Sequence, residues 1–136
     1  MSLILHVDDD RVMRNLVSEY LTDAGYEVVS AENGQEGMEI AEKIIPDLIL
    51  MDIDMPVLDG YAATQKLRGH GYSGLIAALT GSERVRDLAN ALVAGCDDFI
   101  PKPLTKNFPD QVKAILDRKN APPDNATVKT EDEFFE

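Results

Sequence analysis

The sequence predicts an α/β fold, an open parallel sheet with helices on both faces. Five short apolar runs alternate with stretches whose apolar residues recur at helical spacing. The connections are short and marked by Gly, Pro, Asn and Asp. The central run, Leu48-Ile49-Leu50-Met51, is apolar without alternation, as suits a strand covered on both faces. With short, right-handed crossovers, these features describe a βα unit repeated five times.

The first strand is Leu3 to Val7, and Asp10 is placed to cap the helix that follows. Val12, Met13, Leu16, Val17, Tyr20 and Leu21 share one face of that helix, which stops at Gly25. Tyr26 to Ser30 reads as the second strand. Asn33-Gly34 then marks a turn, and Met38, Ala41, Ile44 and Ile45 form a helical stripe ended by Pro46. After the central strand, the loop Asp54 to Gly60 leads to a weaker helical pattern over 61–68, broken by Gly69, Gly71 and Gly74. Leu75 to Leu79 is the fourth strand. Val85, Leu88, Ala89, Leu92 and Val93 then define a helical face closed by Gly95. Asp98 to Ile100 is a short strand with polar flanks, as suits an edge. Phe108, Val112, Ile115 and Leu116 give the last helix, with Pro109 in its first turn.

Composition narrows the function. The chain has 136 residues, 44% of them hydrophobic, which is enough for one domain with a core. No run is long enough to span a membrane and no signal-peptide pattern opens the chain, so membrane insertion is not expected. A net charge of -12 would repel nucleic acid and anionic membranes alike. Cys96 is the one cysteine, which fits a reducing cytoplasmic setting and reads as a small buried hydrophobe. Residues 1–120 form the expected domain. Residues 121–136, with one lysine and five acids, form an acidic tail expected to be disordered.

The chemistry collects at the strand ends. The first strand runs into Asp8 and Asp9, the third into Asp52, the fourth into Thr80 and the fifth into Lys102. In a parallel sheet these ends share one edge, the usual ligand crevice. Three carboxylates there repel one another unless a cation sits among them, and hard oxygen donors at low count suit Mg²⁺. A lysine and a hydroxyl offer a phosphoryl group a point charge and a donor. An aspartate can itself take that group as a nucleophile.

Together these residues resemble the receiver domain of bacterial-type two-component response regulators, over about residues 3–119. The carriers are Asp8-Asp9, then Asp52 with Met55-Pro56 and Asp59-Gly60, then Thr80-Gly81, then Lys102-Pro103. The resemblance implies a flavodoxin-like (βα)5 fold with strand order 2-1-3-4-5. It implies that Asp52 accepts a phosphoryl group from a histidine kinase or His-phosphotransfer protein, with Mg²⁺ as cofactor. Asp9 would hold the metal directly and Asp8 largely through water, with Asp52 and the backbone carbonyl of Asp54 as further ligands. Lys102 would pair with the phosphoryl group and Thr80 would move to hydrogen-bond it. Phe99 falls at an aromatic switch position but lacks the hydroxyl of the tyrosine common there. Pro101 stiffens a loop that usually carries an ordinary residue. The Lys102-Pro103 peptide is expected to be cis, since such bonds cost little in cis and a tight turn must aim Lys102 at the crevice. A domain of this kind is not an enzyme in the ordinary sense. It catalyses its own phosphorylation and slow autodephosphorylation, and signals to a downstream target through its fourth helix, fifth strand and fifth helix.

Taken singly, each feature has a plainer reading. Asp8 to Asp10 would be acids favourable to a helix dipole, Thr80 a strand-end hydroxyl, Lys102 a surface charge, His6 a packed residue and His70 a solvated one. Phe134-Phe135 among acids could dock, though a disordered end explains them. Asp52-x-Asp54 also suggests a haloacid-dehalogenase-type phosphatase, but there the nucleophile follows the first strand and a Gly-Thr follows the second acid. A non-phosphorylated interaction module is the other alternative, and the complete acid set argues against it. Pro56 breaks the ligand spacing of a calcium EF-hand. With no effector domain in these residues, the expectation is a stand-alone receiver or one cut from a larger regulator or hybrid kinase.

Overall fold

The computed structural model of the chain describes residues 2–53, 55, 59–81 and 85–119. Asp54, Pro56, the segment 82–84 and the tail 121–136, on which some expectations fall, lie outside the described residues. Five strands, β1 (Leu3–Val7), β2 (Glu27–Ala31), β3 (Leu48–Asp52), β4 (Leu75–Thr80) and β5 (Asp98–Pro101), alternate with five helices. These are α1 (Arg11–Asp23), α2 (Gly34–Ile44), α3 (Gly60–Gly69), α4 (Val85–Ala94) and α5 (Phe108–Lys119). The strands form one parallel sheet in the order β2-β1-β3-β4-β5. Connections diverge on either side of the β1–β3 pair, so the carboxyl end of that pair is the topological switch point.

Strand alternation sends side chains to two cores. Leu5, Val7, Ile49, Met51, Ile76 and Ala78 face α2, α3 and α4. Ile4, Leu48, Leu50, Ala77 and Leu79 face α1 and α5, where Val17, Leu21, Phe108 and Val112 cover them. β3 is buried at all five positions, which accounts for its unbroken apolar run. Cys96 is buried in the first of these cores. Among the described residues no helix is long and apolar enough to cross a membrane.

The helix starts follow side-chain chemistry. Asp10 accepts the Val12 amide, and Asp59 accepts the Ala62 amide. Asn33 is a helix cap rather than the turn residue its pairing with Gly34 suggests: its side chain accepts the Glu36 amide, while Glu36 reaches back to the Glu32 amide. Ile45 ends α2 in the left-handed region at φ 48, because the residue before Pro46 is barred from continuing the helix.

Two expected helix faces are only partly buried. In α1, Val17 and Leu21 are fully covered, but Val12 is 72% exposed. In α4 the buried residues among those whose side chains are described are Ala91 and Ala94, whereas Leu92 and Val93 are 54% and 83% exposed. Small residues at Ala91 and Ala94 let this helix lie close to its neighbours, and Leu92 and Val93 are left outside.

Candidate functional site

The carboxyl edge of the sheet holds the candidate site. Asp52 closes β3, in register with Leu79 of β4, and is almost fully buried. The next amide, of Ile53, donates to the Leu79 carbonyl and continues the ladder past the acid. Thr80, one residue beyond that partner, pairs with Pro101 of β5 and is buried too. The Lys102 amide donates to the Thr80 carbonyl at 2.7 Å, which fixes where the lysine leaves the sheet. The Lys102-Pro103 bond is cis. From there the Lys102 Nζ reaches Asp52 Oδ1 at 2.9 Å.

The turn after β1 supplies the other acids. Asp8 is buried and Asp9 exposed, and one carboxylate oxygen each from Asp8, Asp9 and Asp52 lie within 4.8 Å of one another. Asp8 is tightly held. Its amide donates to the Ala31 carbonyl, its Oδ1 accepts the Asp10 amide at 2.9 Å, and Arg14 Nη1 donates to its carbonyl at 2.8 Å. Burial opposes ionisation of this carboxyl. Nearby His6, the Asp10 amide and the charge of Lys102 outweigh it, and the group titrates below its ordinary value. His6 Nε2 lies 3.4 Å from Asp8 Oδ2, near enough to act on it but off the line of a hydrogen bond.

The strand-end residues picked out in the sequence, Asp8, Asp9, Asp52, Thr80 and Lys102, thus stand on one edge, and the four charged ones meet directly. Phe99 sits two positions before Pro101, in register with Ala78, and its half-buried side chain packs on the α2–α3–α4 core. Two contributors are not evident from the sequence. Arg14 steadies the Asp8 backbone, and its signal is a cation one turn into the helix after an acidic turn. His6 shares the Asp8 face through the strand period of two, so a His-x-Asp pair at a strand end is the signal.

A doubly wound parallel sheet with an acidic pocket and an inward lysine at its switch point defines a flavodoxin-like domain whose candidate site lies at its strand ends. More narrowly, the chain belongs to the response regulator receiver domain family, which matches residues 4–114. It is 36% identical over 124 residues to the response regulator MprA of Mycobacterium leprae, covering 90% of this chain and 54% of that protein. It is 38% identical over 116 residues to the probable transcriptional regulator ycf27 of Porphyra purpurea, covering 85% of this chain and 47% of that one. The chain therefore spans about half the length of the curated relatives it matches. Among solved structures, the chemotaxis protein CheY4 of Vibrio cholerae superposes with a TM-score of 0.77 at 31% identity, over 87% of this chain and 98% of that one. A two-component response regulator from Clostridium difficile gives 0.81 at 28%, over 89% and 100%. Receiver domains are signalling domains of two-component systems, in which response regulators work with histidine kinases and downstream effectors.

Proposed function

We propose that Asp52 is the phosphoacceptor of this receiver, charged by a histidine kinase or a His-phosphotransfer protein. The observation that carries the reading is the buried Asp52 carboxylate at the end of β3, 2.9 Å from Lys102 Nζ and in reach of Asp8 and Asp9. An Asp52 oxygen attacks the phosphorus of a phosphohistidine. The P–N bond breaks, and its electron pair leaves on the imidazole. Lys102 meets the charge on the arriving oxygens, and Thr80 offers its hydroxyl to one of them.

The residues present fit a divalent ion. They are hard oxygen donors, few in number, and Asp8 Oδ2 is buried without a hydrogen-bond partner. Asp9 and Asp52 would hold Mg²⁺, with Asp8 acting largely through water and the Asp54 carbonyl as a further ligand. When bound, the ion neutralises the clustered carboxylates and the charge carried in by the phosphoryl group. The working unit is 1–120, with 121–136 an acidic extension, and its setting is the cytosol. Beyond loading and slowly losing its own phosphoryl group, it acts by changing shape. Thr80 turns toward the group, Phe99 moves inward by packing alone, and the downstream partner reads α4, β5 and α5. The exposed Leu92 and Val93 support that face as the docking surface.

The test is acetyl phosphate with Mg²⁺, read by intact mass. One phosphoryl group should add to the wild type and none to Asp52→Asn. Labelling of Asp52→Asn at the wild-type rate would overturn the assignment.

A further inference from the structure

Among the described residues, His6 is the one polar side chain of the sheet interior without an evident purpose. It lies mid-strand in β1, in register with Ser30 on one side and Leu50 on the other, and is fully buried. Strand alternation puts it on the same face as Ile4 and Asp8, the face covered by α1 and α5. Neither ring nitrogen has a hydrogen-bond partner, and neither does the facing Asp8 Oδ2, 3.4 Å from Nε2. Two unsatisfied polar groups side by side in a closed interior are costly, and an aliphatic residue here would avoid the cost.

We propose that His6 is a positioning residue for the metal pocket, whose Nε2–H closes on Asp8 Oδ2 when a divalent ion draws that carboxylate into place. This rests on reading Asp8, Asp9 and Asp52 as the ion's site. The rest of Asp8 has little freedom, since its amide, its carbonyl and its Oδ1 are each already engaged. What remains is a small rotation of the carboxylate, and that rotation is what a 3.4 Å misaligned contact needs to become a hydrogen bond. A donor behind a carboxylate fixes its orientation and raises its worth to a metal, as outer partners of metal ligands generally do.

The experiment is a calorimetric Mg²⁺ titration of the full chain as wild type, His6→Leu and His6→Gln, with a ¹⁵N spectrum of the wild-type imidazole. His6→Leu should weaken Mg²⁺ binding about tenfold, and His6→Gln, which keeps a donor, should restore most of it. In chelator His6→Leu should melt no lower than wild type, which separates a pocket effect from a folding defect. The His6 Nε2 resonance should shift on saturation with Mg²⁺. Binding by His6→Leu within twofold of wild type would overturn the proposal. So would an unmoved imidazole resonance, which requires no variant to fold. A wild type that binds no Mg²⁺ at millimolar concentration would overturn the ion site itself, a separate failure from that of His6.

Discussion

Asp52 is backed by Gly60. The Gly60 amide donates to the Ile53 carbonyl at 3.2 Å, and a Cβ at position 60 would stand 2.3 Å from the Asp52 carbonyl oxygen. Backbone on both sides leaves no flexible group to give way. Gly60→Ala should therefore push the end of β3, costing about 1–3 kcal/mol of stability. It should slow acetyl phosphate labelling by roughly ten- to a hundredfold, because a small misplacement of a reacting group is expensive. Denaturant melts and timed mass spectra check both. At this scale the sequence is generous where polarity interrupts an apolar run: Asp8, Asp9, Asp52, Thr80 and Lys102 each stand out at a strand end. It is silent on distances. The 2.9 Å approach of Lys102 to Asp52 depends on a turn anchored at the Thr80 carbonyl. His6 reads as packing until its two idle nitrogens are seen.

Arg68 joins three elements at the end of the sheet away from the acids. Its Nε donates to the Gly95 carbonyl, its Nη1 to the carbonyls of Tyr72 and Gly74, and its Nη2 to Asp97, which also receives the Ile76 amide. The end of α3, the start of β4 and the turn after α4 are thus tied to one guanidinium. The Asp97 contact is partly exposed and adds little, so the carbonyl bonds carry the effect. Arg68→Ala should cost on the order of 2 kcal/mol. Hydrogen exchange should quicken most in the last turn of α4, where only small side chains, Ala91 and Ala94, hold the helix down. Exchange that quickens uniformly would argue against a local tie. The apolar spacing of α4 announces a helix correctly but points to the wrong lining, because Leu92 and Val93 satisfy the helical period as well as the alanines do. Periodicity locates a face. It does not say whether that face meets the core or another protein. Strand order is hidden for a similar reason, since each β run is legible and its neighbours are not.

Over the whole molecule, a net charge of -12 is concentrated further by three carboxylates within 4.8 Å. Mg²⁺ at a hundred times its dissociation constant should add about 2.7 kcal/mol, a rise in melting temperature on the order of 10 °C for a domain of this size. Asp9→Ala should melt higher than wild type in chelator and respond little to the ion, because one repelling charge is gone along with a ligand. A lower melting temperature in chelator would contradict this. The Lys102–Asp52 pair has a consequence in time as well. Its partners are separated by 50 positions, and β5 is the last strand to be synthesised. A nascent chain that has emerged only through α4 holds all three carboxylates without their lysine, at an edge still lacking its final strand. On the proposed reading of Asp52 as phosphoacceptor, a chain cut before residue 102 lacks the cation that meets the arriving phosphoryl oxygens, and it should label with acetyl phosphate more slowly than the full chain.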